Sequence, residues 1–287
     1  MTKRILTVAA VQTSFGSDMR ANIDTSAELI RGAADKGAQV ILPPELFQGL
    51  YFCSRQDPKW FADAYPADTH PCVMALGSLA RELGIVIPIS FFEKDGPRYY
   101  NSVAIADADG KVLGVYRKSP IPDGPGYMEK YYFTPGDTGF KAWRTAYGTI
   151  GVGICWDQWF PECARAMALK GAEVLFYPTA IGSEPYDASL DTHSQWQRAM
   201  QGHAVSNAIP IIAANRVGRE NNNGAEQKFY GHSFICDHGG ELVQSFGAED
   251  KGVLVHTFDL ANIEKYRADW GFFRDRRPEL YRDCLLY

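Results

Sequence analysis

Apolar positions along the chain fall into two kinds of pattern. Short, nearly continuous runs at Ile5–Gln12, Val40–Leu42, 85–92 and 174–177 read as strands buried on both faces. Longer stretches carry apolar residues at helical spacing. The first, 22–36, runs through Ile23, Ala27, Ile30 and Ala34, with Gly37 as its C-cap. Others are Pro71–Leu83, ended by Gly84, then 161–170, opened by Pro161, and 192–207.

Further runs predict strands that lie next to one another. Residues 100–106 and 112–117 flank Asp109-Gly110, a hairpin signal. Residues 229–236 and 241–246 flank His238-Gly239-Gly240 in the same way. Single strands are expected at 140–144, 149–155, 209–216 and 252–259, with 221–224 as a surface loop. The stretch 119–139 is long, irregular and rich in Pro and Gly, which marks a functional loop more than a linker. The tail from 275 to 287 is polar and aromatic without periodicity. Mixed β–α alternation and adjacent strands predict an α/β fold with two mixed sheets packed together and helices on both outer faces. No linker or fixed-period repeat is visible, so residues 1–287 read as one domain.

Composition narrows the function classes. A net charge of −5 gives no basic surface for nucleic acid or an anionic membrane. No apolar run is long enough to span a bilayer, and the N-terminus reads as a strand, not as a signal peptide. A cytoplasmic protein with reduced thiols is therefore expected. The cysteines, Cys53, Cys72, Cys155, Cys163, Cys236 and Cys284, form no CxxC pair, and no metal site or organic cofactor is signalled.

One cysteine has a special setting. Cys155 follows the apolar run Thr149-Ile150-Gly151-Val152-Gly153-Ile154, where a buried strand gives way to a helical segment. That is where an α/β enzyme displays a nucleophile, and the amides just after it can point at a reacting carbonyl oxygen. Leu42-Pro43-Pro44-Glu45 puts a carboxylate past another strand end, and Tyr116-Arg117-Lys118 puts a cation at a third. The three can converge. No histidine is near Cys155 in sequence, so Glu45 is the better candidate base, with a Cys–His pairing such as Cys155–His232 as the rival. Lys118 would supply positive charge to a tetrahedral intermediate.

Glu45, Lys118 and Cys155, in these contexts and this order, resemble the Glu–Lys–Cys triad of the nitrilase (carbon–nitrogen hydrolase) superfamily, over nearly the whole chain. Longer strings are similar to its N-carbamoylputrescine amidohydrolase branch. They include Ile121-Pro122-Asp123-Gly124-Pro125-Gly126-Tyr127, Cys155-Trp156-Asp157-Gln158-Trp159-Phe160-Pro161-Glu162, Tyr177-Pro178-Thr179-Ala180-Ile181-Gly182-Ser183-Glu184-Pro185 and Trp270-Gly271-Phe272-Phe273-Arg274. Pro120 departs from the histidine expected in many relatives.

The resemblance implies a four-layer α-β-β-α sandwich and a homo-oligomer built from dimers, with the tail's Leu280, Tyr281, Leu285, Leu286 and Tyr287 at a subunit contact. It implies Cys155 as nucleophile, Glu45 as base, Lys118 and the Trp156 backbone N–H as oxyanion donors, and Glu129 as a further orienting carboxylate. The implied substrate is the small molecule N-carbamoylputrescine. Its ammonium would need an anion, for which Glu184 is the candidate and Asp187 and Asp191 are competitors, and walls such as Tyr51, Tyr127 and Trp156. A carbamoyl amino acid such as N-carbamoyl-β-alanine would instead need a cation, with Arg198 and Arg216 as candidates. An aliphatic amide or a nitrile is a further alternative with the same chemistry.

Overall fold

A computed structural model describes residues 2–187 and 189–282. Within the described residues the elements run β1 (Ile5–Gln12), α1 (Met19–Ala34), β2 (Val40–Leu42), α2 (Pro71–Leu83), β3 (Ile87–Asp95), β4 (Arg98–Ala106), β5 (Val112–Arg117), β6 (Ala142–Arg144), β7 (Thr149–Val152), α3 (Pro161–Leu169), β8 (Val174–Pro178), α4 (His193–Asn207), β9 (Ile211–Ala214), β10 (Val217–Asn222), β11 (Ala225–Tyr230), β12 (Phe234–Cys236), β13 (Leu242–Ser245), β14 (Gly252–Asp259), α5 (Leu260–Trp270) and α6 (Pro278–Tyr281).

The strands build two facing layers. One is the sheet β13-β12-β9-β8-β7-β6. The other consists of β14-β1-β2 and β3-β4-β5, joined by a parallel bridge between Val40 and Val86. Both are mixed. β7, β8 and β9 are parallel, as are β1 and β2, while β14 runs antiparallel to β1 and β12 antiparallel to β9.

Period-two alternation in strands with two buried faces makes the layers. Leu6, Val8 and Ala10 of β1 and Val174 and Phe176 of β8 meet between the sheets. Ala9 and Val11 turn outward onto Ile23, Ile30 and Ala33 of α1 and Leu76 of α2. Leu175 and Tyr177 turn the opposite way onto Met167 of α3 and Trp196 and Met200 of α4. The result is the expected four-layer α-β-β-α sandwich.

Several boundaries differ from the sequence reading, for physical reasons. Helix α1 starts earlier than 22, because the Asp18 side chain accepts the Ala21 N–H at 3.0 Å and caps it. The run 229–236 is broken, since Gly231 (φ 64°) and His232 (φ 56°) turn the chain. Its first part, β11, pairs with β10 in a separate hairpin, and only β12 joins the main sheet. Residues 221–224 are the tip of that hairpin. Strand β3 extends past Phe92 to pair fully with β4. Helix α5 has no counterpart in the sequence reading. It is capped by Asp259 and ended by Gly271 in the left-handed region, but buries only Leu260, Ala261 and Ile263, too few to give a clear period.

Three strand ends deliver the candidate chemistry to one place. Glu45 lies past β2, Lys118 follows β5, and Cys155 follows β7. The Glu45 N–H donates to the Thr179 carbonyl past β8, at 3.4 Å, so the two sheets touch there.

The inter-sheet core should dominate stability. Phe176→Ala, at a fully buried position between the sheets, is expected to cost about 3–5 kcal/mol in urea unfolding; a loss near zero would contradict this packing.

Candidate active site

Lys118 is held where β5 runs out by its own backbone. Its N–H donates to the Asn101 carbonyl at 2.9 Å, and its carbonyl accepts from Gly136 N–H at 2.8 Å. The ammonium is fully buried between two carboxylates. Nζ donates to Glu45 Oε1 at 3.0 Å and to Glu129 Oε1 and Oε2 at 2.9 and 2.7 Å. Glu129 opens a short 3-10 helix inside the 119–139 loop. The Tyr51 hydroxyl donates to its Oε1 at 2.7 Å. Asn101 Nδ2 donates to Glu45 Oε1 at 2.6 Å. Both hydrogen bonds to the Glu45 carboxylate therefore fall on Oε1, and Oε2 has no partner among the described residues.

The turn carrying Glu45 is fixed from behind by Arg216, also fully buried. Its guanidinium donates to the carbonyls of Glu45 (3.2 and 3.1 Å) and Gly49 (3.0 Å), to that of Leu46, and to Glu220 Oε1 at 2.8 Å. Glu220 Oε2 in turn accepts the Tyr51 N–H at 2.6 Å. Leu46, at φ 48°, is held by Ser90 Oγ, which accepts its N–H at 2.9 Å. Arg216 thus spends its donors on the backbone and on Glu220, and is not a substrate cation.

Cys155 begins a 3-10 helix, Cys155–Trp159, with φ 43°, a left-handed conformation unusual for a side chain of this kind. Two features hold the turn. Gly153 allows close approach, since a Cβ there would press on Tyr177, Cys163 and Asp157. Asp157 Oδ2 accepts the Ile154 N–H at 2.7 Å and the Tyr116 hydroxyl at 2.8 Å. Asp157 therefore ties the cysteine turn to β5, the strand that leads into Lys118. The Trp156 N–H sits in the first turn, where helical amides have no acceptor within the helix.

Electrostatics couples these groups. Burial pushes the Cys155 thiol well up, Glu45 adds to this, and Lys118 opposes it. Burial would lower Lys118, but Glu129 and Glu45 outweigh it and hold the ammonium well above its ordinary range. Burial raises the Glu129 carboxyl, with Lys118 opposing. Burial also lifts Asp157 to about 7, against the pull of its two hydrogen-bond donors.

A cavity of about 310 Å³ opens onto the thiol. Buried Cys155 and Glu129 are among its lining residues. Tyr127, Trp156, Trp159 and Tyr186 give it aromatic walls, and Glu184 and Asp123 give it carboxylates. Among the described residues lining it there is no Arg, Lys or His. Burial raises the carboxyl of half-buried Glu184, and a hydrogen bond with the Tyr186 side chain opposes this.

Of the sequence candidates, Glu129, Cys155, Trp156, Tyr127 and Glu184 line the cavity, while Lys118 and Glu45 lie beside Glu129. Tyr51 is not among its lining residues; its ring packs on Tyr127 and Phe229 and its hydroxyl donates to Glu129. Asp187 and Asp191 are exposed and cap local backbone, at Ser189 and His193. Arg198 is exposed on α4 and off the cavity. His232 stacks on His193, with centroids 3.7 Å apart, and does not line the cavity either. Asp123, Trp159, Tyr186 and Gln195 line it without having been singled out in the sequence. Asp123 and Trp159 belong to segments that carry the family resemblance, but nothing local marks such residues as facing a cavity. Among the described residues no cluster of His, Cys, Asp and Glu is arranged to hold a metal ion.

Comparison with known proteins places this geometry in a family. The carbon-nitrogen hydrolase family model matches residues 7–268. The chain is 56% identical to an N-carbamoylputrescine amidase of Solanum lycopersicum over 98% of this chain and 95% of that protein. It is 52% identical to a citrullinase of Francisella tularensis over 97% of each. A crystal structure of a carbon-nitrogen hydrolase from Helicobacter pylori superposes with a TM-score of 0.91 at 37% identity, covering 98% of both chains.

The buried Asp157 carboxyl gives a pH signature. Its folded value, about 7, lies above the ordinary 3.8, so the folded state holds a proton that the unfolded chain releases. Stability from this group is therefore full below about pH 4 and is lost as pH rises toward 7. Urea unfolding of the wild type should weaken by a few kcal/mol relative to Asp157→Asn across that window. A constant difference between the two proteins would refute the shift.

Proposed function

The chain belongs to the carbon–nitrogen hydrolase family, and from that premise we propose that it hydrolyses N-carbamoylputrescine to putrescine, ammonia and carbon dioxide. The observation that carries this reading is the lining of the cavity. It offers carboxylates and aromatic faces to a distal ammonium, and no cation among its described residues.

In this reading Glu45 Oε2, the oxygen without a partner, accepts the Cys155 proton. The sulfur attacks the ureido carbonyl carbon. Lys118 and the Trp156 N–H stabilise the oxyanion, the kind of contribution worth about 10²–10³ in rate per donor. One C–N bond breaks, and its nitrogen leaves with the proton held on Glu45. Water, deprotonated by Glu45, then cleaves the carbamoyl thioester. The carbamate released loses carbon dioxide to give the second amine. A raised thiol suits this sequence, because attack is then tied to transfer of the proton and does not depend on a standing thiolate. Glu129 shares the charge of Lys118, so that the ammonium is not locked to Glu45 alone.

The citrullinase relative suggests the rival substrate. Citrulline has the same ureido end but carries a carboxylate beside its ammonium. Placed in this cavity, that carboxylate would meet Glu184 or Asp123 with no cation to pair it. The same argument disfavours N-carbamoyl-β-alanine.

Two wider readings accompany the reaction. A reducing, cytoplasmic setting fits the five described cysteines, all free and buried, and no helix among the described residues is long and apolar enough to cross a membrane. A homo-oligomer, with residues 1–287 acting as one catalytic unit, fits the exposed aromatic ridge of Trp270, Phe272 and Tyr281. Leu285, Leu286 and Tyr287 lie outside the described residues.

Two measurements test these readings. Ammonia release should favour N-carbamoylputrescine over citrulline and N-carbamoyl-β-alanine by at least about 100-fold in kcat/KM, and Cys155→Ala should abolish it. A preference for citrulline would overturn the substrate, and an active Cys155→Ala the mechanism. Light scattering at micromolar concentration should find a dimer or a multiple of it, and a monomer would reject the assembly.

A further inference from the structure

Two walls of the cavity come from chain segments far apart, and a third element pins both. Tyr127 belongs to the 119–139 loop, and Glu184 to the segment after β8. Behind them runs the hairpin β10–β11. Gln227 on β11 is almost fully buried and does not line the cavity. Its Nε2 donates to the Tyr127 hydroxyl at 2.8 Å and to the Ser183 carbonyl at 2.8 Å. The Tyr127 hydroxyl also accepts the Gly182 N–H at 3.0 Å. Ser183 N–H donates to the Lys228 carbonyl at 2.7 Å, and Gly182 bridges antiparallel to Phe229. A Cβ at Gly182 would collide with the Lys228 carbonyl, so the segment lies directly against the hairpin. Glu184 is the next residue after Ser183, and its side chain and that of Tyr127 line the same cavity.

We infer that Gln227 is a positioning residue for substrate selection: its carboxamide fixes Tyr127 and the Ser183-Glu184 backbone relative to each other, and thereby sets the preference for a ligand ending in an ammonium. This rests on the reading of Glu184 as the ammonium's partner. Among the described residues no side-chain hydrogen bond joins Gln227 to the thiol or to Glu45, Lys118 or Glu129; its carboxamide donors go to Tyr127 and Ser183. Loosening it should therefore weaken binding of the charged end while the chemistry at Cys155 proceeds. A carboxamide serves here because one donor group must reach both a phenol and a carbonyl inside a buried layer, where a charge would be costly.

The test compares N-carbamoylputrescine with pentylurea, in which a methyl group stands for the ammonium. Wild type, Gln227→Leu, Gln227→Met and Glu184→Gln are assayed for kcat and KM with the amine, and for the competitive inhibition constant of pentylurea, with thermal unfolding as the check on folding. For Gln227→Leu we expect KM for the amine to rise about tenfold, kcat to stay within about twofold, and the pentylurea constant to stay within about twofold. Gln227→Met, of similar length, should behave alike and serves if the leucine variant does not fold. Glu184→Gln should show the same charge-specific loss or a larger one.

Weakening of both ligands together, a fall in kcat alone, or failure of both Gln227 variants to fold would make the carboxamide a structural element only and overturn the inference. A charge-specific loss in Glu184→Gln that is absent from the Gln227 variants would overturn it while leaving the Glu184 reading intact. An unchanged preference in Glu184→Gln would overturn both.

Discussion

The ammonium of Lys118 sits in a space with no solvent contact, between Glu45 and Glu129. An isolated buried ammonium would lose its proton or unfold its surroundings, so the lysine requires both carboxylates, and each carboxylate requires the lysine. That mutual requirement couples the turn after β2 to two segments 73 residues or more further on, the end of β5 and the short 3-10 helix at Glu129. Two negative charges around one positive charge leave the cluster net negative, and the thiol of Cys155 feels it. Burial and Glu45 raise the thiol more than Lys118 lowers it. The arrangement disfavours a standing thiolate, and within the Lys118 cluster Glu45 Oε2 has no hydrogen-bond partner among the described residues.

Such a cluster needs rigid surroundings, and the structure supplies them from behind. Arg216 holds the carbonyls of the Glu45 turn, and Glu220 links that guanidinium to the Tyr51 backbone, whose hydroxyl reaches Glu129. Asp157 plays the equivalent part on the other side, joining the cysteine turn to β5 through Ile154 and Tyr116. Both backbone turns adopt left-handed conformations at non-glycine residues, Leu46 and Cys155. Each such conformation costs about 1–3 kcal/mol and persists only where neighbours over-determine it. The buried ion pair and the buried carboxyl are those neighbours.

The sequence carried the layers and two of the three strand-end residues because both follow local rules. A strand buried on both faces reads as a continuous apolar run, and a polar residue just past such a run stands out, as Glu45 and Cys155 do. Lys118, by contrast, follows a half-buried strand that already ends in Arg117, and it takes its weight from the family resemblance. The parts that were not legible depend on contacts across the chain. The run 229–236 looks continuous until Gly231 and His232 turn it, and nothing local says that its first half pairs with 217–222. Helix α5 buries too narrow a face to show a period. Tyr51 reads as a pocket wall from its aromaticity, but its hydroxyl is drawn to Glu129. Arg216 reads as a cation awaiting a substrate, but it is consumed by backbone carbonyls. In both cases the residue type was right for more than one role, and only the fold decides between them.

The cavity shows why substrate choice is the least local property of the molecule. Its acid and aromatic lining is gathered from the 119–139 loop, the turn after β7 and the segment between β8 and α4. None of these carries enough of the pattern to define the site alone. In the proposed reading, what distinguishes an amine from an amino acid is that the described lining carries no cation beside Glu184, and an absence leaves no motif. Discrimination then comes from the cost of burying an unpaired carboxylate, which depends on how firmly the walls exclude water and resist movement. The catalytic cluster is braced by buried charge, whereas the selective wall is braced by a neutral carboxamide and backbone pairing to a hairpin. The two supports meet in that hairpin, where Glu220 on β10, which holds Arg216 and the Tyr51 N–H, pairs with Gln227 on β11, so the buried ionic cluster and the distal wall share one frame.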